Sequence, residues 1–371
     1  MNHPWPPRGT PEQPGALILS PEAGPTTSAA NKLTIVTGSG RSGTSTVAGT
    51  LKMLGLSIPQ PEVKADSTNP RGFFEPRWVV DFHKRLLLEV GVATLDARPG
   101  AHAKTARIGS RPRVRNELRA WLEQATEPQL VVKDPRTFWL KDLWRETAES
   151  LGLETNFVTM LRHPTEVVGS RDTHYAQRLD PARRKARETG NLAGWVNVAL
   201  VNELASRGEP RAFVHYEDLL ADWRASLRRV VATLDLQVNA DLDKAEPHPV
   251  DDFIDVTLHR VRVTWDDLDV PEPLRDLAEN VWQSLSEIAD PNADHSAASA
   301  RMDEYRDEYD ALHAYSLALV HDATAARVRA ARAQTRRRVE DELGDAQRAR
   351  PSLARRVARR GRSEWSKRRT P

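Results

Sequence analysis

The feature that most constrains this chain lies between residues 33 and 54. Leu33-Thr34-Ile35-Val36-Thr37 is a short β-branched run that ends at Gly38-Ser39-Gly40-Arg41-Ser42-Gly43. Directly afterwards Val47, Leu51 and Leu54 recur at i, i+4 and i+7, and Gly55 closes the pattern. The first stretch reads as a buried strand and the second as an amphipathic helix. A strand that turns through glycines straight into a helix gathers inward-pointing N–H groups and a helix N-terminus at one point, a ready anion site. Arg41 adds a fixed cation there, and Ser42, Thr44, Ser45 and Thr46 add hydroxyl donors.

Three more continuous apolar runs follow: Leu130-Val131-Val132-Lys133, Phe157-Val158-Thr159-Met160-Leu161 and Ala212-Phe213-Val214-His215. Runs of this kind are expected of parallel strands covered on both faces. Helical stripes separate or follow them: Val114 to Ala125, Leu140 to Leu151, Leu219 to Leu234, and Leu274 to Ile288 after Pro273. The alternation predicts an α/β chain with a three-layer α/β/α arrangement and a central parallel sheet. Residues 1–31 hold seven prolines and little periodicity and read as a disordered leader. The α/β domain is expected over 32–290. A helical, arginine-rich extension is expected over 291–371.

Composition removes several function classes. The 371 residues include no cysteine, which excludes a disulfide framework, thiolate metal sites and cysteine nucleophiles. With no apolar run long enough to span a bilayer, the reading is a cytoplasmic protein. The formal charge of +2 hides a division. Residues 321–371 carry 15 Arg and Lys367 against six acids, a net +10, so the other 320 residues sum to −8. An acidic body with a basic tail is an argument for an anionic partner at one end.

The loop is not that of an ATPase. Gly38 and Gly43 have the phosphate-loop spacing, but Thr44 stands where the lysine of nucleoside triphosphate hydrolysis belongs. A second pattern is independent of the first. The run 157–161 ends at Arg162, Pro164 suits a helix start, and Ser170 follows Arg162 by eight positions. A strand-end arginine can pair bidentately with phosphate.

These residues resemble the sulfotransferases that use 3′-phosphoadenylyl sulfate (PAPS), most closely their bacterial branch. Arg41-Ser42-Gly43-Thr44-Ser45 is similar to the family's 5′-phosphosulfate loop, and Arg162 with Ser170 to its 3′-phosphate pair. Asn69-Pro70-Arg71-Gly72-Phe73-Phe74-Glu75 and Lys133-Asp134-Pro135-Arg136 resemble two further bacterial blocks, and Tyr216-Glu217-Asp218 a third segment. The resemblance runs from 32 to about 236, thins towards 290 and is absent at both ends. It implies a P-loop NTPase-like fold, PAPS as donor, no metal, and transfer of a sulfuryl group to an acceptor hydroxyl on a small molecule or glycan. Donor binding would then fall to Gly40, Arg41, Ser42, Gly43, Thr44, Ser45, Arg162 and Ser170.

Sulfuryl transfer needs a cation at the bridging oxygen and a base for the acceptor proton. Lys133 at its strand end fits the first role, with Arg41 as a second cation. The animal cytosolic members have a histidine two residues after this lysine, where this chain has Pro135. Bacterial members that this chain resembles have an acidic residue after the first helix, which implies Glu75 as the base, with Asp134 as the alternative. Asp134, beside Lys133 and Arg136, would be a stabilised and weak base, so Glu75 is preferred. The family also closes over the 3′-phosphate with a basic segment; residues 256–265 are better placed for it than Arg359-Arg360-Gly361, and the assignment stays open.

Two competing readings remain. One is a P-loop kinase, with Asp134 as a strand-end magnesium ligand and Thr44 standing against it. The other is a non-catalytic adaptor whose tail, with Leu353, Val357 and Trp365 among its arginines, lies on an anionic membrane surface. Nothing accompanies the tail that would read a specific nucleic acid.

Overall fold

The apolar runs pair into one fully parallel sheet. Its strands are β1 (Lys32–Thr37), β2 (Gln129–Lys133), β3 (Glu154–Leu161) and β4 (Arg211–His215), in the order β2-β1-β3-β4. The computed structural model describes residues 31–175, 180–255 and 262–349. The leader up to residue 30, residues 256–261 of the basic segment and the arginine-rich stretch from 350 onward lie outside the described residues.

Between β1 and β2 run α1 (Thr44–Met53), α2 (Arg77–Val90), α3 (Ala101–Gly109) and α4 (Pro112–Leu122). A 3-10 turn (Thr137–Leu140) and α5 (Lys141–Ser150) lead to β3, and α6 (Pro164–Tyr175) and α7 (Pro181–Ser206) lead to β4. The chain continues through α8 (Tyr216–Ala221), α9 (Trp223–Leu234), α10 (Pro249–Phe253), α11 (Glu272–Ala289), α12 (His295–Leu319) and α13 (His321–Ala349). The expected α/β class and the flanking helical layers are both present.

Alternation along β1 divides its side chains between the two faces. Leu33 and Ile35 enter a core with Phe82, Leu118, Trp139, Trp144 and Phe157. Val36 enters the opposite core with Val47, Leu51, Leu219 and Leu227. Because β1 has β2 on one side and β3 on the other, the connections leaving it diverge. In open parallel sheets that reversal opens a crevice at the carboxyl ends of the strands. The glycine loop lies there, with Lys133, Arg162 and Tyr216 arriving from the ends of β2, β3 and β4.

Several elements differ from the sequence reading for identifiable reasons. The single stripe Leu219–Leu234 is broken into α8 and α9, because Asp222 leaves the helix (φ −148°) and its side chain caps Ala225 N–H. Strand β3 begins at Glu154 rather than Phe157; its first residues pair with β1 although they are polar. Helix α7 buries Glu188, Asn202 and Glu203 among its apolar positions, which blurs its stripe.

The chain beyond residue 290 begins as part of the packed body. Ala298, Met302 and Tyr309 of α12 are buried with α7 and α11 side chains. The Tyr309 hydroxyl donates towards Ala97 O (2.6 Å) and Ala193 O (2.8 Å). Helix α13 is exposed along most of its length.

Candidate active site

The turn after β1 requires its glycines. Gly38 (φ +128°) has no room for a Cβ, which would meet Met160 O at 2.7 Å. Gly43 (φ +94°) precedes α1, and a Cβ there would strike the Tyr216 ring at 2.2 Å. Arg41 also has a positive φ (80°), an uncommon conformation for a residue with a side chain. The turn thus aims the N-terminal N–H groups of α1 into the crevice and uses Tyr216 as its wall.

Arg162 joins the loop to the end of β3. Its Nη1 donates to Arg41 O (3.1 Å), its Nε to Glu166 Oε2 (2.8 Å), and its guanidinium lies 4.9 Å from the Tyr216 ring centroid. Its Nη2 is buried without a hydrogen-bond partner, as is Ser42 Oγ. A buried guanidinium N–H left unpaired is costly, and an anion is the partner that would satisfy it. Ser170, two turns into α6, accepts from Arg41 Nε at 3.0 Å. The structure therefore brings Arg41, Arg162 and Ser170 together, with Arg41 directed to Ser170.

A second cluster lines the same crevice and meets the loop at Ser45. Lys133, 2% exposed, donates from Nζ to Glu75 Oε1 (2.6 Å), Ser45 Oγ (3.1 Å) and Phe73 O (3.2 Å). Glu75 reaches it because the chain turns at Asn69–Gly72 and passes Phe74 at a positive φ (55°) before α2 begins. Asn69 Nδ2 secures that return through Gly72 O (2.7 Å) and Ser45 Oγ (3.2 Å). Ser45 Oγ thus receives two donors, which leaves its own proton to be donated elsewhere.

One cleft of about 490 Å³ collects these groups. Gly40, Arg41, Gly43, Thr44, Ser45, Glu75, Lys133, Arg162 and Ser170 all line it. Ser42 and Asp134 do not. Asp134 is fully buried beneath the site and accepts from Arg136 N (2.9 Å), Arg136 Nη1 (2.8 Å) and His83 Nδ1 (3.2 Å). Burial pushes its carboxyl up, but the hydrogen bond from His83 and the charge of Arg136 outweigh that and hold it below the ordinary carboxylate value.

Tyr216, which the sequence reading gave no role in the site, lines the cleft against Gly43. Pro135 and Phe253 also line it. Only the likeness of Tyr216-Glu217-Asp218 to a family segment pointed to the first of these. Phe253 gave no signal, being 210 residues from Gly43 in sequence and brought near only by the packing of α10 on α1. A larger cleft of about 880 Å³ lies across Arg162 and Tyr216, lined by His163, His215, Trp265, Glu279 and Trp282 among others, and holds no residue of the glycine loop. Among the described residues no group of His, Cys, Asp or Glu is arranged to hold a metal ion, and no helix is long and apolar enough to cross a membrane.

Solved structures similar to this chain include a sulfotransferase domain from the olefin synthase of Synechococcus PCC 7002, at 18% identity and a TM-score of 0.38, covering 71% of this chain and 97% of that one. A sulfotransferase domain from the curacin biosynthetic pathway is 16% identical, with 70% and 99% covered and a TM-score of 0.36. The sulfotransferase STF1 of Mycobacterium tuberculosis H37Rv is 15% identical, with 68% and 77% covered and a TM-score of 0.36. No curated protein matches the chain. A model of the sulfotransferase family matches residues 34–240, a span that holds the loop, Glu75, Lys133, Arg162 and Tyr216 and more than half of the sequence, and the chain belongs to that family.

Proposed function

We propose that the protein transfers a sulfuryl group from PAPS to an acceptor hydroxyl, with a carbohydrate or glycolipid as acceptor. The observation that carries this reading is that one cleft is lined both by the glycine loop with its arginines and by a buried Lys133–Glu75 pair joined to that loop through Ser45. An anion loop alone would suit many ligands. The adjoining cation and carboxylate supply what an in-line group transfer needs: charge stabilisation on the leaving side and a proton acceptor on the entering side.

In this mechanism the loop N–H groups and the N-terminus of α1 bind the 5′-phosphosulfate, while Arg162 and Ser170 bind the 3′-phosphate. The unpartnered Nη2 of Arg162, a residue that lines the cleft, is a buried donor that a doubly anionic nucleotide would satisfy. The acceptor oxygen attacks sulfur, the bond from sulfur to the bridging oxygen breaks, and its electron pair stays on the departing bisphosphate. Lys133 neutralises that oxygen, and Glu75 takes the acceptor proton. The pair must part for this: Lys133 exchanges Glu75 for the bridging oxygen, and Glu75 exchanges Lys133 for the acceptor hydroxyl. Ser67, Thr68 and Asn69 line the cleft with polar side chains, which favours a polyhydroxylated acceptor over an apolar one.

The test is incubation with isotope-labelled PAPS and a pool of cellular metabolites and glycans, followed by mass spectrometry. The expected result is labelled products heavier by one SO₃ group, formed far more slowly by Lys133→Ala. Transfer of label to no acceptor would refute the assignment.

A further inference from the structure

The two groups assigned to the chemistry come from different segments, and those segments are tied together twice. Glu75 lies two residues before α2, and Lys133 ends β2. The first tie is in the cleft, where Lys133 Nζ donates to Glu75 Oε1 at 2.6 Å and to Phe73 O at 3.2 Å. The second lies beneath it. His83, two turns along α2, meets Asp134, the residue after Lys133, at 3.2 Å, and both side chains are fully buried. Trp144 of α5 completes the group by donating its indole N–H to His83 Nε2 at 2.9 Å.

Indole nitrogen only donates, so His83 Nε2 must be the acceptor and His83 Nδ1 carries the proton that Asp134 accepts. The other Asp134 oxygen is held by Arg136 through both its backbone N–H and its side chain. Asp134 O accepts from Thr137 N (3.0 Å) and Thr137 Oγ1 (2.9 Å), so the turn that follows Lys133 is pinned on both sides. Among the atoms of Asp134, His83 and Trp144, no buried side-chain donor or acceptor is left unsatisfied. A fully satisfied buried polar chain fixes a unique geometry.

We propose that the Asp134–His83–Trp144 chain is a positioning clamp that holds Glu75 in register with Lys133 while their direct ion pair is open. The inference rests on the sulfuryl-transfer reading. During turnover the ion pair of the first tie is broken, because each partner turns to the substrates; the second tie makes no contact with the cleft and persists. Asp134, His83 and Trp144 are positioning residues and touch no reacting atom.

The test compares His83→Leu, His83→Gln and Trp144→Phe with the parent protein, measuring PAPS turnover and, separately, the Kd of adenosine 3′,5′-bisphosphate. A glutamine amide can accept from Trp144 and donate to Asp134 at once; leucine can do neither. His83→Leu should lower kcat by about 10- to 100-fold, the scale expected of a misplacement near 1 Å, with donor KM and bisphosphate Kd within about twofold. His83→Gln should restore kcat to within about threefold of the parent, and Trp144→Phe, which keeps an aromatic core, should lower kcat by a smaller factor. A His83→Leu or Trp144→Phe protein that binds the bisphosphate and keeps full kcat overturns the clamp, even if its Tm has fallen. So does a folded His83→Gln as impaired as His83→Leu. An inactive parent protein overturns the sulfuryl-transfer reading and the clamp with it; an active parent with unaffected variants overturns the clamp alone.

Discussion

At the scale of single residues, the site depends on positions where little else fits. Gly43 adopts a positive φ, and the Tyr216 ring occupies the space a methyl group would need. Gly43→Ala therefore combines backbone strain of roughly 1–3 kcal/mol with displacement of Tyr216. It should weaken adenosine 3′,5′-bisphosphate binding by about tenfold or more by titration calorimetry, since 1.4 kcal/mol is already a factor of ten. Lys133 and Glu75 should separate binding from chemistry. Lys133→Ala and Glu75→Gln are each expected to lower kcat by about 10²–10⁴ in the transfer assay, with the bisphosphate still bound. An active Glu75→Gln would remove Glu75 as the base.

At the scale of elements, the sequence made the strand–loop–helix unit legible because local chemistry dictates it. Glycines at 38 and 43 and the apolar spacing of 47, 51 and 54 leave few alternatives. Arg162 and Ser170 were singled out by their likeness to the family's 3′-phosphate pair, and a strand end followed by a helix keeps the two within a short stretch of chain. What a linear reading could not supply was contact across the sheet: Tyr216 against Gly43, Phe253 over α1, and His83 under Lys133. Such pairs depend on how layers pack, and no local periodicity encodes them. Glu75 stands between the two cases. Its turn was readable, but its approach to Lys133 depends on where that turn returns.

Helix α12 shows how an element outside the expected 32–290 unit attaches to the body. Its Tyr309 hydroxyl is buried and shares its one proton between carbonyls of two other segments, and burial pushes the phenol well above its ordinary value. Tyr309→Phe should cost about 0.5–1.5 kcal/mol in a denaturant melt, the net worth of a typical hydrogen bond. Asp303 makes a second attachment. Hydrogen bonds from Arg207 and then Arg306 lower its carboxyl from 3.8 to about 2. Because the folded value lies below the unfolded one, the unfolded chain binds more protons as pH falls through this window. The associated stability is present above about pH 4 and is lost towards about pH 2. Its side chain is half exposed, so solvent keeps the effect small. Between pH 5 and 3 the Tm of the parent should fall more steeply than that of Asp303→Asn; parallel curves would show that this attachment contributes nothing.

For the molecule as a whole, net charge is a poor guide to where the cations of the candidate site gather. The strongest positive charge is in residues 321–371, yet the cleft that gathers Arg41, Lys133 and Arg162 belongs to the part that sums to −8. In the proposed donor site, a few cations at the carboxyl ends of parallel strands, focused by a low-dielectric crevice and a helix N-terminus, would outweigh the distant average. The central claim is that this cleft accepts a nucleotide bearing a 3′-phosphate and a 5′-phosphosulfate. The most direct measurement is thermal unfolding with adenosine 3′,5′-bisphosphate or Mg-ATP, on the parent protein and Arg162→Met. At about 100 times its Kd the bisphosphate should stabilise the parent by about 2.7 kcal/mol, and at that same concentration should stabilise Arg162→Met far less. Stabilisation by Mg-ATP and none by the bisphosphate would contradict the account.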